Sequence, residues 1–397
     1  MTVRVDHVVV GGGVMGAAAA WQLARRGREV VLVERFEPGH ARGASHGTSR
    51  IYRTTYAAAE YVDLAREAFG LWRELEDEVG ARGEVLTLTG GVSQGGPDLR
   101  AVADAFAARG VPHTWLAASE AAERWPGLAF EGDVLHEPAT AGRLHADRAV
   151  AAFLGAARAR GAVVRHRTPV HRVEERADGV DVHTADGVLR ARSVVLAAGA
   201  WTSALATGAV ADGLPPLVVT QEQPAHFALR PDAPDAASWP VFTHQPTQPH
   251  AWPSGTYGLV SPQDGVKVGF HGVGPVTDPD RRTFAPEPGQ LAQLQEYVRR
   301  WVPGADADRL DPISCTYTTT PDHDFVLDRR GRVVVAAGFS GHGFKFAPAI
   351  GRVLADLADP GSAAGAAPAR FALGRLAAAP APTARPSAAQ PPTAVRA

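Results

Sequence analysis

Cysteine is nearly absent: Cys315 is the only thiol in 397 residues. A single thiol excludes an internal disulfide and a cysteine-based zinc site. Long apolar runs are missing too; no stretch of 18 apolar residues is present, so hydropathy gives no membrane-spanning helix. Basic residues form nothing denser than pairs such as Arg25-Arg26, and the net charge is −2, which gives no electrostatic footprint for nucleic acid. No His-Glu-x-x-His or equivalent cluster points to a metal, so none is expected. The chain is expected to enter a strand by about residue 5, so no signal peptide is expected, and Val395-Arg396-Ala397 does not match a peroxisomal signal. The cytoplasm is the expected location. What remains, 45% hydrophobic and 21% charged, describes a soluble globular chain of about two domains.

The first thirty-odd residues carry the strongest pattern. Val8-Val9-Val10 reads as a buried strand, Gly11-Gly12-Gly13-Val14-Met15-Gly16 as a Gly-x-Gly-x-x-Gly turn, Ala17 to Arg26 as a helix closed by Gly27, and Val30 to Val33 as a second strand ending at Glu34. Gly11 permits the tight turn, Gly13 lets a pyrophosphate approach the backbone, and Gly16 lets helix and strand pack closely. The helix N-terminus offers unpaired N–H groups and partial positive charge to the phosphates. Glu34 stands where an acid holds a ribose hydroxyl, which disfavours NADP. The pattern specifies a dinucleotide and leaves NAD or FAD open.

Farther along, residues 35–60 read as polar loop and Tyr61 to Val79 as an amphipathic helix. Sheet is expected around Val85–Leu88 and Val92, helices over Leu99–Ala108, Ser119–Trp125 and Ala146–Arg160, and a short strand at Val111–Leu116. Short strands fill 162–198; the last, Val194-Val195-Leu196, resembles the first strand and is placed beside it. Residues 217–275 look mostly antiparallel, hence a second domain. A helix is expected over Leu291–Trp301. Cys315-Thr316-Tyr317-Thr318 reads as a polar stretch. Strands at Phe325–Leu327 and Val333–Ala336 precede a second Gly-rich strand-to-helix transition, which returns the chain to the nucleotide domain. Residues 377–397, rich in Ala, Pro, Thr and Ser, read as a disordered tail. Gly43-Ala44-Ser45-His46-Gly47 fits a hydrolase motif in letters only, since no strand precedes it. Asp322-His323-Asp324 is taken as a strand-entry turn.

Three stretches, Ser45-His46-Gly47-Thr48-Ser49-Arg50-Ile51-Tyr52-Arg53, Cys315-Thr316-Tyr317-Thr318-Thr319-Thr320-Pro321-Asp322 and Gly338-Phe339-Ser340-Gly341-His342-Gly343-Phe344-Lys345-Phe346, resemble signature segments of the monomeric sarcosine oxidase family, which includes N-methyltryptophan and pipecolate oxidases. Order and spacing match from residue 5 to about 358. The resemblance implies FAD rather than NAD, and oxidation of a secondary amino acid by dioxygen. It implies an α/β fold: a Rossmann-like, glutathione-reductase-like FAD-binding domain (1–82, 147–215 and 320–376) interleaved with an α+β, mostly antiparallel substrate domain (83–146 and 216–319). A monomer acting on a small amino acid and O2 is expected, with no nucleic acid or membrane partner.

The same resemblance assigns residues. Cys315 is bonded through sulfur to the flavin. Arg53 and Lys345 grip the substrate carboxylate, one as a planar fork and the other as a point charge. Lys267, which on strand alternation alone is an outward-facing lysine, lies over the flavin and activates dioxygen, with Arg50 beside it. His271, four residues on and on the same strand face, lines the substrate cavity with Tyr317; His46 lies near the flavin. Gly11, Gly13, Met15, Gly16, Glu34, Arg35, Ser45, Thr48, Gly341, Gly343 and Lys345 contact the cofactor. Two departures stand out: Ser261-Pro262-Gln263-Asp264 looks shortened and more polar, and Thr316 follows the cysteine where relatives often have methionine. An amine dehydrogenase on the same fold, or a non-catalytic flavin-binding redox module, remain open.

Overall fold

The computed structural model describes residues 2–96, 98–247, 251–359 and 367–376; the expected tail, 377–397, lies outside them. The chain opens with β1 (Thr2–Val10), α1 (Val14–Arg25), β2 (Val30–Val33), β3 (Arg50–Tyr52), α2 (Ala59–Val79), β4 (Leu86–Leu88) and β5 (Gly91–Gly95). It continues through α3 (Leu99–Ala108), β6 (Thr114–Leu116), α4 (Ala118–Arg124), β7 (Val134–Glu137), β8 (Gly142–Leu144) and α5 (Ala146–Ala159). Next come β9 (Val163–Arg165), β10 (Val170–Arg176), β11 (Gly179–Thr184), β12 (Gly187–Leu196), α6 (Thr202–Leu205) and α7 (Gly208–Gly213). The remainder is β13 (Val218–Glu222), β14 (Ala225–Leu229), β15 (Val241–Gln245), β16 (Thr256–Ser261), β17 (Gly265–Phe270), α8 (Pro288–Trp301), β18 (Ala305–Pro312), β19 (Cys315–Thr319), β20 (Val326–Arg330), β21 (Val333–Ala337) and α9 (Ala347–Ala358).

The first sheet runs β10-β11-β12-β1-β2-β9, with β21 also pairing β12 and β20 pairing β21. Its centre is parallel, and β12 lies beside β1 in the register Val8↔Val194 to Val10↔Leu196, the neighbourhood inferred from the apolar run. Strands buried on both faces read as unbroken Val and Leu, as these do. One face is covered by α1, α2, α5 and α9, whose alanines let the helices sit close; Gly351 of α9 has the Ala18 backbone 2.6 Å from where a Cβ would stand. Trp21, Trp72 and Phe153 fill that layer and are fully buried.

The second large sheet runs β18-β14-β17-β16-β15-β5-β7-β6, antiparallel except for β15 on β5. One face packs on α8 through Val92, Phe227, Phe242, Val266 and Val268. The other is turned toward the first sheet. A three-stranded sheet, β3-β8-β4, packs on β16 through β3.

Several expectations need correction. Residues 35–60 are not all loop: Arg50–Tyr52 pairs with β8, because Tyr52 buries completely and donates to the Ala65 carbonyl at 2.7 Å. The polar stretch at Cys315 is a strand, paired with β13 from Glu222↔Cys315 to Val218↔Thr319. Its threonines suit a pleated surface, and lack of apolar alternation hid it. Helix α1 begins at Val14 rather than Ala17, inside the glycine motif. Asp322-His323-Asp324 is a turn, as expected, anchored by Arg370 and Arg375.

Candidate active site

A single cavity of about 1760 Å³ runs from the glycine motif to the inner face of the second sheet. Ligand pockets usually span ~300–1,000 Å³, so this one has room for an extended dinucleotide and a further small molecule.

At the nucleotide end, Gly11 has φ +107°, and a Cβ there would lie 2.4 Å from the Ala197 carbonyl oxygen. Gly16 is closed by the Gly11 oxygen 1.9 Å from its Cβ position, so it serves helix packing and does not line the cavity. Gly13 is the N-cap of α1 and brings no capping side chain, and the first turn holds no acid. The Val14 N–H is taken by the Ser45 hydroxyl at 3.0 Å; other first-turn N–H groups are left for an anionic ligand. Met15 borders the same space. Glu34 is buried and accepts from the Gly12 N–H at 2.6 Å and the Phe36 N–H at 2.9 Å. Burial would raise its carboxyl, but hydrogen bonds from His40, Gly12 and Phe36 hold it below the usual carboxylate range. It is therefore a fixed anion, suited to ribose hydroxyls and hostile to a phosphate. Arg35 stands at the rim, its guanidinium on Asp280 at 2.7 Å and over the rings of Phe36 and Trp201. A glycine cradle, a free helix N-terminus and a buried acid are the parts FAD requires.

The middle of the cavity holds Arg50, Lys267, His46 and Cys315. Arg50 donates to the carbonyls of Ser49, Ala44 and His46 at 2.7, 2.8 and 2.8 Å, and its Nη2 is 4.0 Å from the Cys315 Sγ. Lys267 shares the Ser49 carbonyl at 3.4 Å. The outward-facing expectation for this lysine fails: it is 7% exposed. Burial, then the Arg50 charge, pushes its ammonium down to about 7. Burial, Arg50 and Lys267 push His46 down to about 3, so it is neutral. Thr48 stands apart: its hydroxyl donates to Asp264 at 2.5 Å, in the turn that looked shortened, and it is not among the residues lining the cavity.

The far end holds a second pair of cations built around Tyr56. Lys345 is 5% exposed; its Nζ donates to the Tyr56 hydroxyl at 2.9 Å and the His342 carbonyl at 2.7 Å. Arg53 lies over the Tyr56 ring at 4.9 Å and donates to the Thr55 carbonyl. Burial and the Arg53 charge hold the Lys345 ammonium well below its ordinary value. His342 Nε2 faces the His323 carbonyl at 3.1 Å, so that nitrogen carries the proton and Nδ1 accepts from Tyr56 at 3.2 Å. Tyr56 thus passes one hydrogen bond onward while receiving another. Beside this pair, Tyr257 and Tyr317 hydrogen-bond each other, and His271 packs on Tyr317 with ring centroids 5.1 Å apart. Burial and the Arg53 and Lys345 charges push His271 down to about 4. Gly341 exists to admit Tyr317, whose ring would lie 2.2 Å from a Cβ; Gly343 does the same for Phe339 at 2.7 Å.

Among the described residues, no carboxylate lies within ion-pair distance of Arg50, Arg53, Lys267 or Lys345. Four cations converging on one cavity without an acid partner form a site for anions, because uncompensated buried charge is costly until a ligand neutralises it. Sequence reasoning missed Tyr56, His342 and the buried acid Glu137. Glu137 binds the Thr54 N–H at 3.0 Å and the hydroxyls of Thr54, Thr55 and Thr140, thereby tying down the segment after Arg53. Tyr56 and His342 each sit three residues from an assigned cation, a spacing that could have flagged them.

These features define an FAD-dependent oxidoreductase, and the family model of that description matches residues 6–357; the chain belongs to that family. Within it, the chain is 36% identical to monomeric sarcosine oxidase of Streptomyces avermitilis over 381 residues, covering 92% of this chain and 96% of the relative. It is 31% identical to human peroxisomal sarcosine oxidase, covering 89% and 91%. Among solved structures, NikD, an amino acid oxidase essential for nikkomycin biosynthesis, superimposes with TM-score 0.79 at 28% identity, covering 94% of this chain and 98% of that one.

Proposed function

We propose that the protein oxidises a secondary α-amino acid, N-methylated or cyclic, to the imine, with dioxygen as the final acceptor and hydrogen peroxide as product. The observation that carries this reading is the pairing of cations: Arg53 and Lys345 around Tyr56, Arg50 and Lys267 around the Ser49 carbonyl, all in one cavity with the FAD cradle. FAD, when bound, supplies the two-electron acceptor. Arg53 and Lys345 take the substrate carboxylate and so fix the reacting carbon. The surrounding positive charge disfavours a cationic ammonium, so the amine is held neutral and needs no general base. His271, neutral at physiological pH, accepts or donates a hydrogen bond without adding charge. Lys267, backed by Arg50, holds positive charge where electrons pass to dioxygen, an electrostatic effect in place before the reaction. Overall, two electrons and two protons leave the C–N unit and arrive on O2.

Cys315, half-buried at the cavity wall and near Arg50, is proposed as the covalent anchor of the flavin. Acid precipitation should leave yellow colour in the protein pellet; a colourless pellet with free flavin ends that part of the proposal. The activity itself is tested by a peroxide-release screen over N-alkyl and cyclic amino acids, with anaerobic bleaching and recovery in air. Turnover with an artificial dye but no oxygen uptake would instead make the protein a dehydrogenase.

A further inference from the structure

The substrate side of the cavity is walled by one face of the second sheet, and the strand register sets which side chains form that wall. Residues two apart share a face. Val266 and Val268 point into the α8 core, so Lys267 and Gly269 point the other way. Pairing carries this parity across β17, β16, β15 and β5: Gly269↔Tyr257, Tyr257↔Thr243, Thr243↔Ser93. A row of hydroxyls, Tyr257, Thr243 and Ser93, therefore crosses the floor of the cavity. The next row, toward the strand ends, is Gly255, Gln245 and Gly95. Gly255 leaves the space in which the Gln245 carboxamide lies; a Cβ there would stand 2.3 Å from its Nε2.

These groups are underused by the protein. The Ser93 and Thr243 hydroxyls bond each other at 2.8 Å. One of the two must donate to the other, which leaves one O–H and several lone pairs free. Gln245 stands at the solvent-exposed end of its strand, and its amide meets no protein hydrogen-bond partner among the described residues. Ser93 is 5% exposed and Thr243 half-buried, and no charged side chain belongs to their row, so a charged substituent seated on that pair would lose water without a counter-ion. Across from them Leu99 and Val102 of α3 border the same cavity and suit methylene groups.

We infer that Ser93, Thr243 and Gln245 are specificity residues for a substrate whose side chain or N-substituent is a short alkyl stem ending in a neutral hydrogen-bonding group, a hydroxyl or a carboxamide. The inference rests on the amino-acid oxidase reading above and names the substrate class within it. A purely alkyl substituent leaves the remaining O–H of the Ser93–Thr243 pair unmatched, which a polar site rejects more strongly than a missing methylene.

The test pairs binding with turnover on the holoenzyme. Carboxylates without an amine cannot be oxidised, so ω-hydroxy carboxylates of three to six carbons are titrated by calorimetry against their alkyl isosteres. Hydroxylated and carboxamide-bearing N-methyl amino acids are compared with alkyl ones in peroxide release. The best polar ligand of each pair is expected to win by roughly tenfold or more. The doubly substituted Ser93→Val, Thr243→Val protein and Gln245→Met should pull that ratio toward one, and because a ratio is read, a general loss of affinity cancels. Equal affinities in the parent protein, or a ratio unmoved by the substitutions, overturn the inference while leaving the oxidase reading intact. A persistent polar preference in binding with no amino acid reducing the flavin supports the polar wall and refutes the oxidase.

Discussion

Lys345 carries a charge the fold pays to hide. Its ammonium is 5% exposed, burial depresses its proton affinity, and only neutral oxygens of Tyr56 and His342 receive it. Replacement by methionine removes that desolvation cost while keeping volume. Lys345→Met is therefore expected to melt no lower than the parent, yet to lose about 3 kcal/mol of substrate recognition, roughly a hundredfold in kcat/KM. A parallel collapse of thermal stability would mean the lysine is structural. Lys267 follows the same logic for the second half of the cycle. Because its ammonium is pushed down to about 7, reoxidation should slow as pH rises above that value, approaching the rate of Lys267→Met. Negative charge on the bound cofactor moves the midpoint upward. Stopped-flow reoxidation with a flat pH profile contradicts the role.

Among the elements, the first turn and the segment after β3 position the chemistry. Gly11→Ala forces a Cβ against the Ala197 carbonyl from a backbone at φ +107°, so β1 and β12 must part where the cofactor lies. A cost of about 3 kcal/mol is expected, read as a lowered denaturation midpoint with FAD retention lost. The loop carrying Arg53 hangs on Glu137, a buried carboxyl whose ionisation burial opposes and whose oxygens are served by three threonines. Glu137→Gln turns one acceptor into a donor facing other donors. It should destabilise by about 1–3 kcal/mol and raise KM more than it lowers kcat, since the proposed role of Arg53 is to touch the carboxylate and Glu137 acts only through it. An unchanged KM would reduce Glu137 to a packing residue.

For the molecule as a whole, buried histidines govern the acid limb of stability. His7 and His136 are 1% and 4% exposed, and burial pushes each down to about 4. Below pH 6.5 the unfolded chain binds protons these folded residues refuse, so stability falls as pH drops from about 6.5 toward 4, by roughly 1.4 kcal/mol per pH unit for each group. Melting temperature should decline over that window, and less steeply in His7→Gln; a flat curve would show that these rings find another proton partner. Apart from the sequence signals that place α1, α2 and α9, the two-sheet arrangement also explains the cavity: one sheet supplies the glycine cradle, the other the opposite wall.

By itself the sequence determined what is local and periodic: the strand-turn-helix at Gly11–Gly16, the acid at Glu34, the amphipathic helix before Val79, and the run at Val194–Leu196 that matches β1. Each is a short-range pattern imposed by backbone sterics and burial on one or both faces. Only tertiary structure decided the rest. Lys267 looks like a solvent-facing strand residue until β16 and the Ser49 loop close over it. Cys315 lies in a strand with no apolar alternation, and the row Tyr257, Thr243, Ser93 exists only because β5 pairs in parallel with β15 from far away in the chain. Burial, charge pairing and cross-strand register depend on which segments meet, and no window of sequence contains both partners.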